Sequence, residues 1–237
     1  MIGIRDPLIA IANMNWSDSP TIVRSTLLAH AALGFLTLSA GAVAIAALKG
    51  GRTHRNAGKI FVFSLVLALV CALPAIIVRR NQFLGLLWPF TLYMVVRGWR
   101  EAQFIKQGRN ETIWIDKTLT ATAGISGIGL LGLGLWRLLQ GASLAGFAGA
   151  YLGLGFIALR LARRDWSSLT FPAKKSQTVT AHMTLIMGSY TAAITAFAAV
   201  NFPQDSYNPV LVWVIPPVIG VIAISWWKRR IERQYPV

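Results

Sequence analysis

The chain has 237 residues, 55% of them hydrophobic and 13% charged, with a net charge of +15 at neutral pH. That balance lies outside the range of soluble domains. Nucleic-acid binding is excluded as well: it needs a basic face on a folded soluble surface interleaved with stacking aromatics, whereas here the cations flank apolar runs, as orientation by the positive-inside rule and attraction to anionic headgroups require.

The first 22 residues carry one early Arg, Pro7 and an apolar run only at 8–12, which does not make a signal peptide. Ile2, Ile4, Leu8, Ile9 and Ile11, with Trp16, form either a small interfacial helix or a plain extracytoplasmic tail. Seven apolar stretches follow, at 26–48, 60–78, 83–96, 119–136, 142–159, 179–200 and 210–227, and a basic tail closes the chain at 228–237. Most reach the roughly 18 to 22 residues that cross a hydrocarbon core about 30 Å thick. Lipid satisfies no exposed peptide group, so each stretch is expected to be a helix. The connections are too short for a soluble domain, and the expected fold is all-α: one integral-membrane domain over 1–237, a polytopic transmembrane helical bundle.

Seven spans place Arg5, Arg24, Arg79, Arg80 and Arg137 on one side and the other 18 of the 23 Lys and Arg on the opposite side. The basic side is then cytoplasmic, with the N-terminus outside and the C-terminus inside. The short stretch 83–96, which contains Pro89, leaves an alternative of six spans plus a re-entrant segment, and this gives the same split with the first loop moved outside. Seven is favoured because Asn81 and Gln82 extend the uncharged run and Arg97 can snorkel. Tryptophans agree, with Trp99, Trp114, Trp166, Trp226 and Trp227 at the inner interface and Trp16, Trp88, Trp136 and Trp213 toward the outer one.

Cys71 stands alone, which excludes an internal disulfide and a Cys-rich metal centre. The stripe Gly141, Ala145, Gly149, Gly153 and the glycines of 124–134 are expected to bring the fourth and fifth helices close together. Pro74, Pro89, Pro216 and Pro217 lie inside spans and should kink them. The eight acidic residues all lie outside the spans, which counts against a proton-coupled transporter. No internal repeat marks a transporter of the alternating-access kind. The last span has no lysine for a retinal Schiff base. Paired acids, a His-Glu zinc motif and a nucleophile elbow are all missing, so the chain reads as non-catalytic rather than as an enzyme.

The three histidines carry the sharper alternative. His30 lies early in span one, His54 just before span two and His182 early in span six. His30 and His54 are each followed four residues later by glycine, Gly34 and Gly58. An imidazole above a missing side chain suits a porphyrin edge, and haem iron takes two axial histidines without acidic ligands. The same spacing also serves ordinary helix packing, and a buried His commonly makes a hydrogen bond between helices. Seven spans put His54 with His182 near the cytoplasmic face; six put His30 there instead.

The run His54-Arg55-Asn56-Ala57-Gly58 resembles the His-Arg-x-x-Gly pattern of an uncharacterised family of predicted bacterial multi-spanning membrane proteins. A later patch, His182-Met183 with Ser189-Tyr190 and Ala196, is similar to that family's second segment, although Met183 stands where many such sequences have a basic residue. The resemblance implies a bacterial inner-membrane protein and flags His30, His54, Arg55, Gly58, His182 and Tyr190. Two functions are therefore expected in order: a non-catalytic membrane subunit or assembly factor in contact with anionic lipid and other membrane subunits, then a b-type haem or redox module.

Overall fold

The structure is a computed structural model that describes residues 20–107, 112–144, 146–170, 175–201 and 209–234. They form α1 (Thr21–Ala46), α2 (Arg52–Arg79), α3 (Gln82–Gln107), α4 (Trp114–Leu139), α5 (Phe147–Thr170), α6 (Lys175–Asn201) and α7 (Pro209–Gln234). Five of these, α1, α2, α4, α6 and α7, are long and apolar enough to cross a membrane. α3 and α5 are of similar length, 26 and 24 residues, but carry several charges in their C-terminal halves.

Successive contacts fix an up-and-down register. α1 and α2 are antiparallel, joined by His30 Nδ1 to the Ala68 carbonyl (2.8 Å), Thr37 Oγ1 to Ser64 Oγ (2.8 Å) and His54 Nδ1 to the Ala44 carbonyl (2.9 Å). α3 returns along α2: Trp88 Nε1 donates to the Leu69 carbonyl (2.8 Å), and the Phe63 and Trp99 rings meet at 5.9 Å. α4 and α5 form a tight antiparallel pair, α6 packs on α3, and α7 packs on α6. α5 and α6 are consecutive yet do not pack along one another.

This register gathers Lys49, Arg55, Arg97, Lys106, Arg160 and Arg229 at one end of the bundle, with the C-terminus of α7. Arg24, Arg79, Arg80 and Arg137 lie at the other. The first is called the basic end below.

α3 explains why the third apolar stretch looked short. α2 stops at Arg80, in the left-handed region at φ 47°, and Asn81 Oδ1 then accepts the Leu84 N–H at 3.0 Å, a side-chain cap on an otherwise unpaired donor. From there α3 is helical without interruption through Pro89 to Gln107. It is the most interior helix: Phe83, Phe90, Tyr93, Val95 and Arg97 are each at most 2% exposed. An interior helix meets protein rather than lipid, so it tolerates charge where an outer helix would not.

The α4/α5 seam uses two of the expected glycines of 124–134, Gly127 and Gly134, but not the expected stripe on α5. Gly141 sits at φ 86° in the turn before α5, Ala145 lies outside the described residues, and a Cβ on Gly153 would meet nothing. The close approach is made by Gly127, Gly134 and Gly155. A Cβ on Gly127 would lie 3.0 Å from the Gly155 carbonyl oxygen, and one on Gly155 would lie 2.9 Å from that of Gly127. The expected stripe fails because half of it precedes the helix, so its four-residue period never becomes a face.

Candidate functional site

At the basic end the bundle encloses an ion cluster around a fully buried arginine. Arg97 Nε and Nη2 fork onto Asp165 of α5 at 2.9 and 2.8 Å, Nη1 reaches Asp116 of α4 at 3.1 Å, and Nη2 also reaches Glu101, one turn along α3, at 2.7 Å. Arg100 Nη2 adds a second cation on Asp116 at 2.8 Å, and Thr120 Oγ1 donates to Asp165 at 2.7 Å. Asp116 also accepts the Ile113 N–H at 3.0 Å, which fastens the start of α4 to the cluster. All three acids are nearly inaccessible, at 4% for Glu101, 0% for Asp116 and 6% for Asp165.

Two cations face three carboxylates here. Arg97 and Arg100 balance Asp116 and Asp165, leaving Glu101 as the surplus acid. Glu101 lies beyond the apolar stretch 83–96; burial, opposed by the Arg97 guanidinium and reinforced by Asp165 and Asp116, pushes its carboxyl up to about 7. The cluster thus ties α3, α4 and α5 together and holds one protonatable group near neutrality.

A cavity of about 980 Å³ opens beside it, between α3, α5 and α6. Tyr93, Arg97 and Glu101 form its back wall, Arg160, Arg163 and Arg164 its α5 side, and Thr178, Ala181 and Leu185 its α6 side. Thr184 Oγ1 also borders it and is a buried hydroxyl with no hydrogen-bond partner among the described residues.

The histidines lie elsewhere and share one arrangement. Each Nδ1 is bound to a backbone carbonyl of a neighbouring helix: His30 to Ala68, His54 to Ala44, and His182 to Gly98 at 2.8 Å. His54 and His182 both belong to the basic end; His30 belongs to the other half of the bundle. A carbonyl on Nδ1 fixes the tautomer and leaves Nε2 as the ligating nitrogen. None of the three borders the 980 Å³ cavity. Gly34 and Gly58 have open space where a Cβ would stand, so packing within the chain does not require glycine at either position. Arg55 Nη1 donates to the Gly50 carbonyl (2.8 Å) and steadies the α1–α2 turn. Tyr190 lies over Gly41, where any Cβ would run into its ring, and its hydroxyl donates to the Leu38 carbonyl at 3.2 Å.

Reading the sequence by spans missed the ion cluster, because Glu101, Asp116 and Asp165 fall outside the apolar stretches and look solvated there. Two signals pointed to it: the i, i+4 pair Arg97 and Glu101 on one helix face, and Asp165 as the one acid in the basic run 160–165. Comparison with models of protein families, with curated proteins and with solved structures returns no match to this chain.

Proposed function

We propose that this chain is a non-catalytic subunit or assembly factor of a bacterial inner membrane, crossing it seven times with the N-terminus outside and the C-terminus in the cytoplasm. Support for seven spans comes from α3, which runs without a break along α2 at a register of full length. Support for the orientation comes from the crowding of cations at the end that holds the C-terminus of α7. The resemblance to the His-Arg-x-x-Gly family agrees with this location.

The observation that carries the non-catalytic reading is how the buried polar side chains are used. Arg97 is spent on three carboxylates, Thr37 on Ser64, and each histidine on a backbone carbonyl, so each of these groups joins one helix to another. Solubilised in mild detergent, the protein is expected to migrate in a stoichiometric assembly larger than its own 25.8 kDa plus micelle, and without visible absorbance. A monomer with a chromophore would overturn the reading.

A second reading, a b-type haem module, is favoured by one specific geometry: His54 and His182 at the same end, each with Nδ1 held and Nε2 without a partner among the described residues. If haem binds there, these two imidazoles are its axial ligands. A Soret band would then appear on purification or on adding haemin, and His182→Ala would abolish it while His30→Ala would not. No band under either condition removes this reading.

A further inference from the structure

We infer that the cavity between α5 and α6 is a binding site for one anionic phospholipid, with its phosphate on Arg160, Arg163 and Arg164 and an acyl chain leaving between the two helices. The inference is independent of whether the histidines hold a cofactor.

Charge comes first. The cluster's carboxylates, including the surplus acid Glu101 on the back wall, are turned to Arg97 and Arg100 and make their ion pairs there rather than with the α5 arginines. Among the described residues, no carboxylate lies within ion-pair distance of Arg160, Arg163 or Arg164. Three guanidiniums without a carboxylate partner among the described residues, on little more than one helical turn beside a cavity of about 980 Å³, favour an acidic occupant.

The lining then selects an amphiphile. α5 runs toward the basic end, so Phe156 and Leu159 lie deeper than Arg160, Arg163, Arg164 and Ser167. α6 runs the opposite way and repeats the gradient, from Gln177 and Thr178 near the rim to Leu185 at depth. Both walls are therefore polar toward the basic end and apolar toward the middle of the bundle. Because α5 and α6 do not pack along one another, the cavity opens sideways where a lipid chain would lie. Phe156, 61% exposed, stands at that opening. A free phosphate would use the arginines but not this apolar depth.

Native mass spectrometry of the full-length protein in an uncharged detergent tests the site. The probes are phosphatidylglycerol, phosphatidylcholine with the same chains, and glycerol phosphate. Phosphatidylglycerol is expected to bind as a single copy and to outcompete phosphatidylcholine. The triple variant Arg160→Gln, Arg163→Gln, Arg164→Gln is expected to lose binding by roughly tenfold to a hundredfold, since each cation near a headgroup counts separately. Neutralising Lys228, Arg229 and Arg230 at the same end should leave binding unchanged. Ala181→Phe, which fills the groove and alters no charge, should also abolish it, and it decides the matter if the triple variant does not fold. Equal loss in the two charge variants, equal binding of phosphatidylcholine, or glycerol phosphate binding as tightly as the lipid would each overturn the proposal.

Discussion

Arg97→Met is the most informative single change, because it removes charge while keeping side-chain length at a position with 0% exposure. It strands Asp165, which keeps the hydroxyls of Thr120 (2.7 Å) and Ser168 (3.4 Å) but loses its cation, while Asp116 keeps Arg100. Removing one partner of a buried ion pair costs about 3–5 kcal/mol, mostly as the penalty on the charge left behind. Polar pairs between membrane helices often measure only about 0.6 kcal/mol, since the unfolded chain in a micelle finds other partners. The first effect should prevail here: the guanidinium meets three carboxylates and has no exposed edge, so no partner in the micelle reproduces it. A loss of roughly 3 kcal/mol is therefore expected, measured by unfolding in mixed detergent–SDS micelles with tryptophan fluorescence. In a double-mutant cycle, Arg97→Met with Asp165→Leu should cost at least about 1 kcal/mol less than the two single changes added together. An Arg97→Met loss below about 1 kcal/mol, or strict additivity, would refute a desolvated cluster.

Glu101 makes stability depend on pH in a definite direction. Below the ordinary value of 4.5 it is protonated folded or unfolded, and its contribution is fully present. As pH rises toward about 7 the unfolded chain ionises first, so this part of the stability is lost across that window and levels off above it. A shift of this size is on the order of 1–3 kcal/mol. Glu101→Gln should flatten the fall in melting temperature between pH 5 and pH 8, and an unchanged fall would place the pH dependence elsewhere. Along the α4/α5 seam, Gly155→Ala should destabilise by about 1–3 kcal/mol, because its Cβ meets the backbone of Gly127 and Leu131. Gly153→Ala on the same helix has open space and should change stability by less than about 0.5 kcal/mol. Equal effects at the two positions would mean that the seam lies on another face.

Helix content and the segregation of cations were legible in the sequence because both follow from composition along a line: long apolar runs make helices, and charges collect where they stop. What was not legible depends on which helix ends up inside. The run 83–96 looked marginal because Arg97, Arg100 and Glu101 follow it, yet those residues face α4 and α5 rather than lipid. Asp165 gave no hint that it pairs with a residue 68 positions earlier. The histidines stood out in the sequence either as axial ligands or as ordinary polar groups, but their carbonyl partners on Ala44, Ala68 and Gly98 leave no trace in residue identity, since any residue supplies a carbonyl. The glycine stripe misled for a similar reason: a four-residue spacing is a face only once the helix has begun.

One turn of α3 links the two candidate sites. Arg97 points toward α4 and α5, while the adjacent Gly98 faces α6 so closely that a Cβ would lie 2.9 Å from Ile186 and 3.1 Å from Leu185. The carbonyl of that same glycine accepts the His182 hydrogen bond. The ion cluster therefore sets the height at which His182 is held, and it also forms the back wall of the cavity between α5 and α6. A rigid pin at that turn accounts for how α5 and α6 can remain apart at the basic end without the bundle closing on itself. Each is fastened separately to α3, α5 through Asp165 and α6 through Gly98, and the gap is the space left between two independent attachments.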